Sequence, residues 1–490
     1  MRHKKTLFDS FGNPINIKNN FKGAKSEDLY NWLSFSKDIN QVLSEDLSGL
    51  RARSRDLVKN DETVNRYIEL VKQNVLGSTG INLQIKNKLK NGKSDKIYNK
   101  TLEDAWKQFA SKKRFRGVFE SPTVCGSMSM IEFSWLAKVS QIVDGEAIIQ
   151  ILRGYPHNKY KFALRLINPD LLTNSNFDAK NGNKVINGIE HDEYSRPVAY
   201  HFKKQSDKYT KDLERIPADQ IIHWFSKTFV GQKRGFPKFS PIMHKIKFLN
   251  GVNEAVVVGW RVASSKMGFF RTFDSDISGF DQDSYDKMSN QEFNATPGTF
   301  ETLPAGVDFV PFDPQYPTST FESGYTTFMR QIANGLNISS PTLSNDYSKV
   351  NYSSLRQALL EDRDGWKCQQ REMIDSFYQP IFEDWFDWSN YITNKIRLGT
   401  NKKNIIPKSE WQARGWAWVD PVKEVRAQAE AVANGFTTRN KVCSESTGRN
   451  FEDTAEALKE EEEIIKENNL SVTATTLDEV LKNEGQEDND

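Results

Sequence analysis

The segment 240–273 reads SPIMHKIKFLNGVNEAVVVGWRVASSKMGFFRTF, and its apolar residues recur every three or four positions. This spacing places them on one face of a helix. Ser240 is a natural N-cap residue, and Pro241 suits the first helical position. The pattern predicts one helix of about 30 residues and about 45 Å. Its apolar stripe consists of Ile242, Ile246, Leu249, Val252, Val256, Trp260, Ala263, Met267 and Phe270.

The remaining surface of this predicted helix is basic. Its charged residues are five Lys or Arg side chains and a single acid, Glu254. Such a helix is expected to pack on neighbours through its stripe and to leave its basic residues exposed. Packing between subunits and packing within one domain both remain open at this point.

The sequence on either side of the helix predicts an α+β protein. Helical periodicity is expected at 26–49, 54–77, 101–111 and 128–143, with Gly77 as the C-cap of the second of these helices. Short β-rich runs bounded by Gly, Pro and Asn follow up to the long helix. Beyond it come an Asp-, Ser-, Gly- and Pro-rich stretch with short β candidates at 300–303 and 308–312, a second helix at 321–337, a polar loop and a helix from about Ser353. The order predicts a helical hairpin with a small β-rich module at its far end.

Composition and charge limit the classes of function. The chain has 490 residues and a net charge of +2, but residues 451–490 hold 14 acids and 3 bases, so the rest carries +13. A basic body suggests a polyanionic partner, although a solvated Lys-rich surface explains the same charge. No apolar run approaches the roughly 20 residues that cross a bilayer, so no membrane association is expected. The three cysteines are too far apart in sequence for a metal-binding motif: Cys125, Cys368 and Cys443.

Local signatures of catalysis are missing from the sequence, which has no phosphate-binding loop, no nucleophile elbow and no HExxH. GQKRGFPK at 231–238 is better interpreted as a turn before a helix. HDEY at 191–194 could ligate a metal, but a β-turn with surface charges is favoured. The acids of DRD at 362–364 favour an ion-pair face over a nuclease centre. We therefore expect no enzyme activity, no cofactor and no metal.

The chain resembles the lambda-type family of tailed-bacteriophage portal proteins from about residue 50 to residue 455. The resemblance rests on blocks such as RARSRDLVKNDETVNRYIELVKQNVLGSTGINLQ, DGEAIIQ, RIPADQIIHWF, GQKRGFPKFSPIM and GWAWVDPVKEVRAQAEAVANGFTTRN. Its most specific part runs from Met329 to Glu361. Residues 80–125, 274–298 and the acidic tail match least.

The resemblance implies a portal-type subunit that assembles into a ring of about twelve copies at one capsid vertex. The stripe on 242–270 would then be the interface between neighbouring stems, as a closed ring requires. The implied parts are an α/β wing (1–239), a stem helix (240–273), a β-rich clip (274–320), a second stem helix (321–337), a tunnel loop (338–352), a wing segment with a long helix (353–430), and a mostly helical crown with the acidic tail (431–490).

The same resemblance implies that the polar loop faces a channel for double-stranded DNA. Contacts to a sliding duplex should involve phosphates and not base edges, which suits Lys349 and two tyrosines. A loop that only caps the next helix, with Ser353 as N-cap, is the alternative. The channel candidates are Asn345, Asp346, Tyr347, Ser348, Lys349, Val350, Asn351 and Tyr352.

Implied partners are terminase, a major capsid or scaffold protein and a head-tail connector or adaptor protein. The implied location is the virion, with assembly in the host cytoplasm. Two other classes stay open: a DNA-processing enzyme of the packaging machinery, and a capsid or scaffold component that forms no ring.

Overall fold

The fold is α+β and divides into two compact units, one of residues 1–240 with 337–490 and one of residues 241–336. The structure is a computed structural model. The residues that the structure describes are 37–89, 91, 94–115, 118–179, 181–204, 213–264, 268–272, 307–311, 321–393, 406–416, 421–447 and 451–467. The predicted β stretch at 300–303, most of the segment 274–320 and the end of the acidic tail lie outside this set.

The first unit begins with two helices whose bounds differ from the expected 26–49 and 54–77. The first runs across the expected break at 50–53, and residues 26–36 lie outside the described residues. Helix α1 spans Ile39–Asn60 and α2 spans Glu62–Val71. Asp61 ends the first and caps the second, since its side chain accepts a hydrogen bond from the Val64 amide at 2.9 Å. A π-helical turn, Lys72–Leu76, follows and ends at Gly77, whose φ of +66° favours glycine. The predicted cap at Gly77 is confirmed.

Two further helices and three short strands complete the N-terminal part. Helix α3 spans Lys96–Ala110 and α4 spans Met130–Val143, close to the expected ranges. A capping box at the start of α4 joins Ser129 to Glu132. The strands are β1 (Asn82–Ile85), β2 (Lys113–Phe115) and β3 (Val118–Glu120).

The β-rich runs that follow α4 form two antiparallel sheets. The three-stranded sheet has the order β11-β4-β5, with β4 at Ala147–Arg153, β5 at Phe162–Ile167 and β11 at Ile221–Trp224. The apolar run of β4 is explained by burial on both faces of the strand, since Ala147, Ile148, Ile149 and Ile151 are all buried. The five-stranded sheet has the order β10-β9-β8-β7-β6, from strands β6 (Phe177–Asp178), β7 (Lys184–Ile186), β8 (Ile189–His191), β9 (Pro197–Lys203) and β10 (Leu213–Pro217).

The C-terminal part of the first unit is mainly helical. Its elements are α7 (Ser340–Ser344), α8 (Tyr352–Met373), a π-helical turn (Ile374–Tyr378), α9 (Gln379–Thr393), β14 (Ser409–Gln412), α10 (Pro421–Ala433), α11 (Arg439–Thr447) and α12 (Phe451–Glu467). Strand β14 pairs with β1, so the N-terminal and C-terminal parts of the unit share a two-stranded sheet. An aromatic cluster at this junction joins Trp106 of α3 to Phe382, Trp385 and Trp411.

The second unit holds helices α5 (Met243–Ser264) and α6 (Phe321–Leu336), which contact each other, and strands β12 (Gly268–Thr272) and β13 (Val307–Pro311). A Cβ at Gly335 would lie 2.2 Å from Ile242 Cγ2, so the end of α6 lies against the start of α5. The helix predicted for 240–273 is therefore too long. Antiparallel pairing of β12 with β13 takes up its last residues, because partners distant in sequence override local periodicity.

Candidate functional site

The polar loop is held at its start by one buried carboxylate. Asp362 of α8 is 7% exposed. Its Oδ1 accepts a hydrogen bond from the Ser339 amide at 2.7 Å. Its Oδ2 accepts bonds from the hydroxyls of Ser339 at 2.6 Å and Thr342 at 2.7 Å. The prediction that Asp362 belongs to a surface ion-pair face is wrong, and only Asp364 forms such a pair, with Lys367. Asp362 is thus a residue that the sequence pattern missed.

The exposed part of the loop has a defined conformation of its own. Asn345 adopts the left-handed region with φ of 58°, which Asn tolerates better than most residues. Asp346 Oδ1 accepts hydrogen bonds from the Ser348 amide at 3.0 Å and from its hydroxyl at 2.7 Å. These bonds, aided by the charge of Lys349, lower the pKa of the Asp346 carboxyl. The Val350 amide donates to the Tyr347 carbonyl at 3.2 Å.

The end of the loop is fixed by the N-cap of α8. The cap residue is Asn351, whose side chain accepts a hydrogen bond from the Ser354 amide at 2.8 Å. The predicted cap at Ser353 is wrong by two residues, because Asn caps as well as Ser and comes earlier. Of the predicted channel residues only Val350 is half-buried, and the rest are exposed: Asn345, Asp346, Tyr347, Ser348, Lys349, Asn351 and Tyr352.

The apolar stripe on α5 is only partly available to another molecule. Four of its nine residues are already buried within the chain: Ile242, Ile246, Leu249 and Val256. Val252 and Trp260 are 43% and 42% exposed. Ala263 and Phe270 lie within α5 and β12 but their side chains are not described, and Met267 lies outside the described residues. Further exposed apolar side chains of α5 are Phe248, Val257 and Val258.

A buried ionic network ties together four distant segments of the first unit. Glu146 is fully buried and its Oε1 accepts from Arg51 at 2.6 Å and from Arg234 at 2.7 Å. Its Oε2 accepts from the Gly235 amide at 3.0 Å and lies 3.0 Å from His223 Nε2. Burial opposes ionisation of the carboxyl, but Arg234 and Arg51 outweigh it and hold the pKa of Glu146 well below its usual range. Burial lowers the pKa of His223.

Close backbone contact brings Arg234 to Glu146. A Cβ at Gly235 would lie 2.0 Å from the Gly145 carbonyl oxygen, and Gly145 has φ of +88°. Both positions therefore require glycine. The segment 231–238 forms a turn, as expected, but its arginine is buried and not a surface charge. A single acid directly before AIIQI, in which only Gln150 is polar, was the available signal, since a buried charge needs a partner.

The HDEY segment is the end of a strand and a turn. His191 is buried on β8, while Asp192 accepts hydrogen bonds from the Tyr194 and Arg196 amides and pairs with the Arg196 side chain. The preceding residue, Glu190, is fully buried and binds Arg215 through two bonds. Within the described ranges, no three His, Cys, Asp or Glu residues are placed to hold a metal ion.

Across the described part of the chain, none of the helices combines the length and the apolar character that a bilayer crossing requires.

Known proteins similar to this chain point to one family. The family model described as phage portal protein, lambda family, matches residues 25–370. A probable portal protein of Halomonas phage phiHAP-1 is 30% identical over 461 residues, which cover 91% of this chain and 86% of that protein. Portal protein B of Escherichia phage lambda is 19% identical over 460 residues, with 85% and 84% covered.

Solved structures with a similar chain include the virion of a native gene transfer agent particle, at 14% identity with a TM-score of 0.43. That match covers 81% of this chain and 92% of the other. A portal protein of the HK97 family from Corynebacterium diphtheriae is 12% identical, with a TM-score of 0.32 and coverage of 62% and 83%.

The sequence matches define the class as phage portal proteins, which are structural proteins and not enzymes. Within that class, the chain belongs to the lambda family of phage portal proteins.

Proposed function

We propose that this chain is the structural subunit of a portal ring of about twelve copies at one capsid vertex. In this proposal the ring is the channel through which double-stranded DNA is packaged and ejected. The observation that carries the proposal is the exposed loop 345–350, which is polar, preformed and held to one helix at both ends. Membership of the portal family supports the same role.

The loop suits contact with a moving duplex. Lys349 is exposed and would contribute one positive charge per subunit, a ring of them in the assembly. Tyr347 and Tyr352 are 42% and 63% exposed, so their rings and hydroxyls are accessible to sugars and phosphates. Phosphate contacts carry no sequence information, so DNA of any sequence could pass.

The exposed apolar residues of α5 are proposed as the contact between neighbouring subunits. Val252 and Trp260 belong to the same stripe as the buried residues Ile242, Ile246, Leu249 and Val256. A heterologous contact repeated around a closed ring would cover them in every copy. The stem, clip, tunnel-loop and crown parts keep their expected boundaries in this proposal, except that the first stem helix is α5.

The remaining partners are proposed from the family alone. They are terminase, a major capsid or scaffold protein and a head-tail connector or adaptor protein, with the protein located in the virion after assembly in the host cytoplasm. Catalysis is assigned to the separate terminase, and this chain is proposed to have no enzyme activity.

Electron microscopy of the purified full-length protein tests the proposal. We expect rings with a central hole and about twelvefold symmetry. Only monomers at micromolar concentration in moderate salt would contradict ring formation. Rings that package DNA normally after deletion of residues 345–350 would contradict the channel role of the loop.

A further inference from the structure

The start of the polar loop is bonded to the same helix whose N-terminus ends the loop. Asp362 binds Ser339 and Thr342, and Asn351 caps α8. Eleven residues separate Asp362 from Asn351, which is about 16 Å along a helix at 1.5 Å per residue. The segment 342–351 therefore spans the first three turns of α8, from the level of Asp362 to the N-terminus of the helix.

Helix α8 is itself fixed to the body of the first unit. The ring of Trp366, one turn beyond Asp362, lies 6.3 Å from that of Tyr67. Gln370, two turns beyond, donates hydrogen bonds to the carbonyls of Asn74 and Arg414, both at 3.0 Å. Asp362 thus connects the loop to a part of α8 that cannot move freely.

No local cap replaces these bonds. Ser339 is the residue before α7, and its own side chain makes no capping bond to that helix. Its amide and its hydroxyl both donate to Asp362. Without the Asp362 side chain, the half-buried Ser339 amide loses its acceptor, and the hydroxyls of Ser339 and Thr342 keep only their 2.8 Å hydrogen bond with each other.

We propose that Asp362 is a positioning residue for the loop 345–350. Its carboxylate holds the start of the loop on α8 and so sets where Lys349 stands relative to the body of the subunit. The consequence for DNA rests on the proposed channel function, whereas the positioning itself does not.

Amide hydrogen exchange on the purified full-length protein tests the positioning. Asp362→Ala should raise exchange in residues 339–350 by about tenfold or more, the effect of losing a bond to a charged group. Thr342→Val should raise it less, because it removes one donor of three. Asp364→Asn changes an exposed acid on the same helix and should leave exchange unchanged. Residues 147–153 of β4 serve as the internal reference and should not change.

Two outcomes would overturn the proposal. One is unchanged exchange in residues 339–350 of Asp362→Ala. The other is an equal rise in β4, which would mean that the carboxylate supports the whole fold and not the loop. If Asp362→Ala does not fold, Asp362→Asn answers the same question, because an amide still accepts from the Ser339 N–H but disturbs the bonds with the two hydroxyls.

Packaged DNA length in particles built with each variant separates this proposal from the channel function. Asp362→Ala should alter packaging or retention with the ring intact. Faster exchange in 339–350 with normal packaging by both Asp362→Ala and Lys349→Ala would leave the positioning standing and reject the channel role. Unchanged exchange would reject the positioning whatever the packaging result.

Discussion

Arg234 and Glu146 stand 88 residues apart in the sequence and form an ion pair of 2.7 Å in which both side chains are fully buried. Arg51 and His223 complete the shell around the same carboxylate. Four segments are thereby joined: α1, the start of β4, β11 and the turn after it. All four segments belong to the unit that contains α8 and its loop.

Glu146→Gln should therefore destabilise the first unit strongly. Loss of the charge leaves two buried guanidinium groups without their partner, which typically costs about 3–5 kcal/mol. The exposed Glu193 provides the control, and Glu193→Gln should change stability by less than about 0.5 kcal/mol. Thermal and urea unfolding at one protein concentration measures both variants. Equal midpoints for Glu146→Gln and the native protein would show that the network contributes little.

Stability should fall as the pH drops below neutral, and His191 should account for part of the fall. Burial, with the positive charge of Lys233 nearby, lowers the pKa of His191 to about 4, although Asp192 acts in the opposite direction. The unfolded chain binds this proton near pH 6.5, so the folded state loses stability as the pH falls from about 6.5 to about 4. Burial also lowers the pKa of His223, so this residue acts in the same direction.

His191→Gln removes one of these titrations and should lessen the drop in melting temperature between pH 7.5 and pH 5. His157 is exposed, and His157→Gln is the matched control, with the pH profile of the native protein expected. A pH profile unaltered by His191→Gln would contradict the assignment.

Lys349→Ala should leave ring assembly normal and alter DNA packaging or retention. One exposed ion contact is worth about 1 kcal/mol or less, but about twelve copies would act on one polyanion. Release of counterions from phosphates makes the effect depend on salt, so it should be greatest at low ionic strength. Packaged DNA length beside ring yield is the measurement. Normal packaging by this variant at every salt concentration tested would reject a role for the charge.

Trp260→Asp should weaken the ring without unfolding the subunit. The side chain is 42% exposed in the single chain, so its main burial would come from a neighbouring subunit. Loss of an aromatic contact at the centre of an interface commonly costs about 2 kcal/mol or more of association free energy. Lys247 is exposed on the opposite side of α5 by helical geometry, so Lys247→Asp is the matched control.

Sedimentation across a range of concentrations distinguishes the assembly states of these two variants. Ile246→Asp, at a position that is 1% exposed, should instead reduce the folded yield. A ring as stable with Trp260→Asp as with Lys247→Asp would remove this part of α5 from the proposed interface.

Local patterns in the sequence determined much of the architecture. The period of three and four residues places a helix at Met243–Ser264, and the apolar run after Gly145 gives a central strand. The helix C-cap at Gly77 and the sequence blocks that resemble the family were also identified from the sequence. Helix periodicity, strand alternation and turn chemistry each act over a few residues, so a local pattern is enough to predict them.

Only the tertiary structure decided which charged and apolar residues have partners. Glu146 meets Arg51 and Arg234 across about 90 residues of sequence in each direction, and Asp362 meets Ser339 across a loop. The stripe reads as uniform in sequence, yet Ile242, Ile246, Leu249 and Val256 are buried within the chain while Val252 and Trp260 are exposed. Helical periodicity shows which residues share a face, but what covers that face depends on segments brought together by folding, and a local pattern does not contain that information.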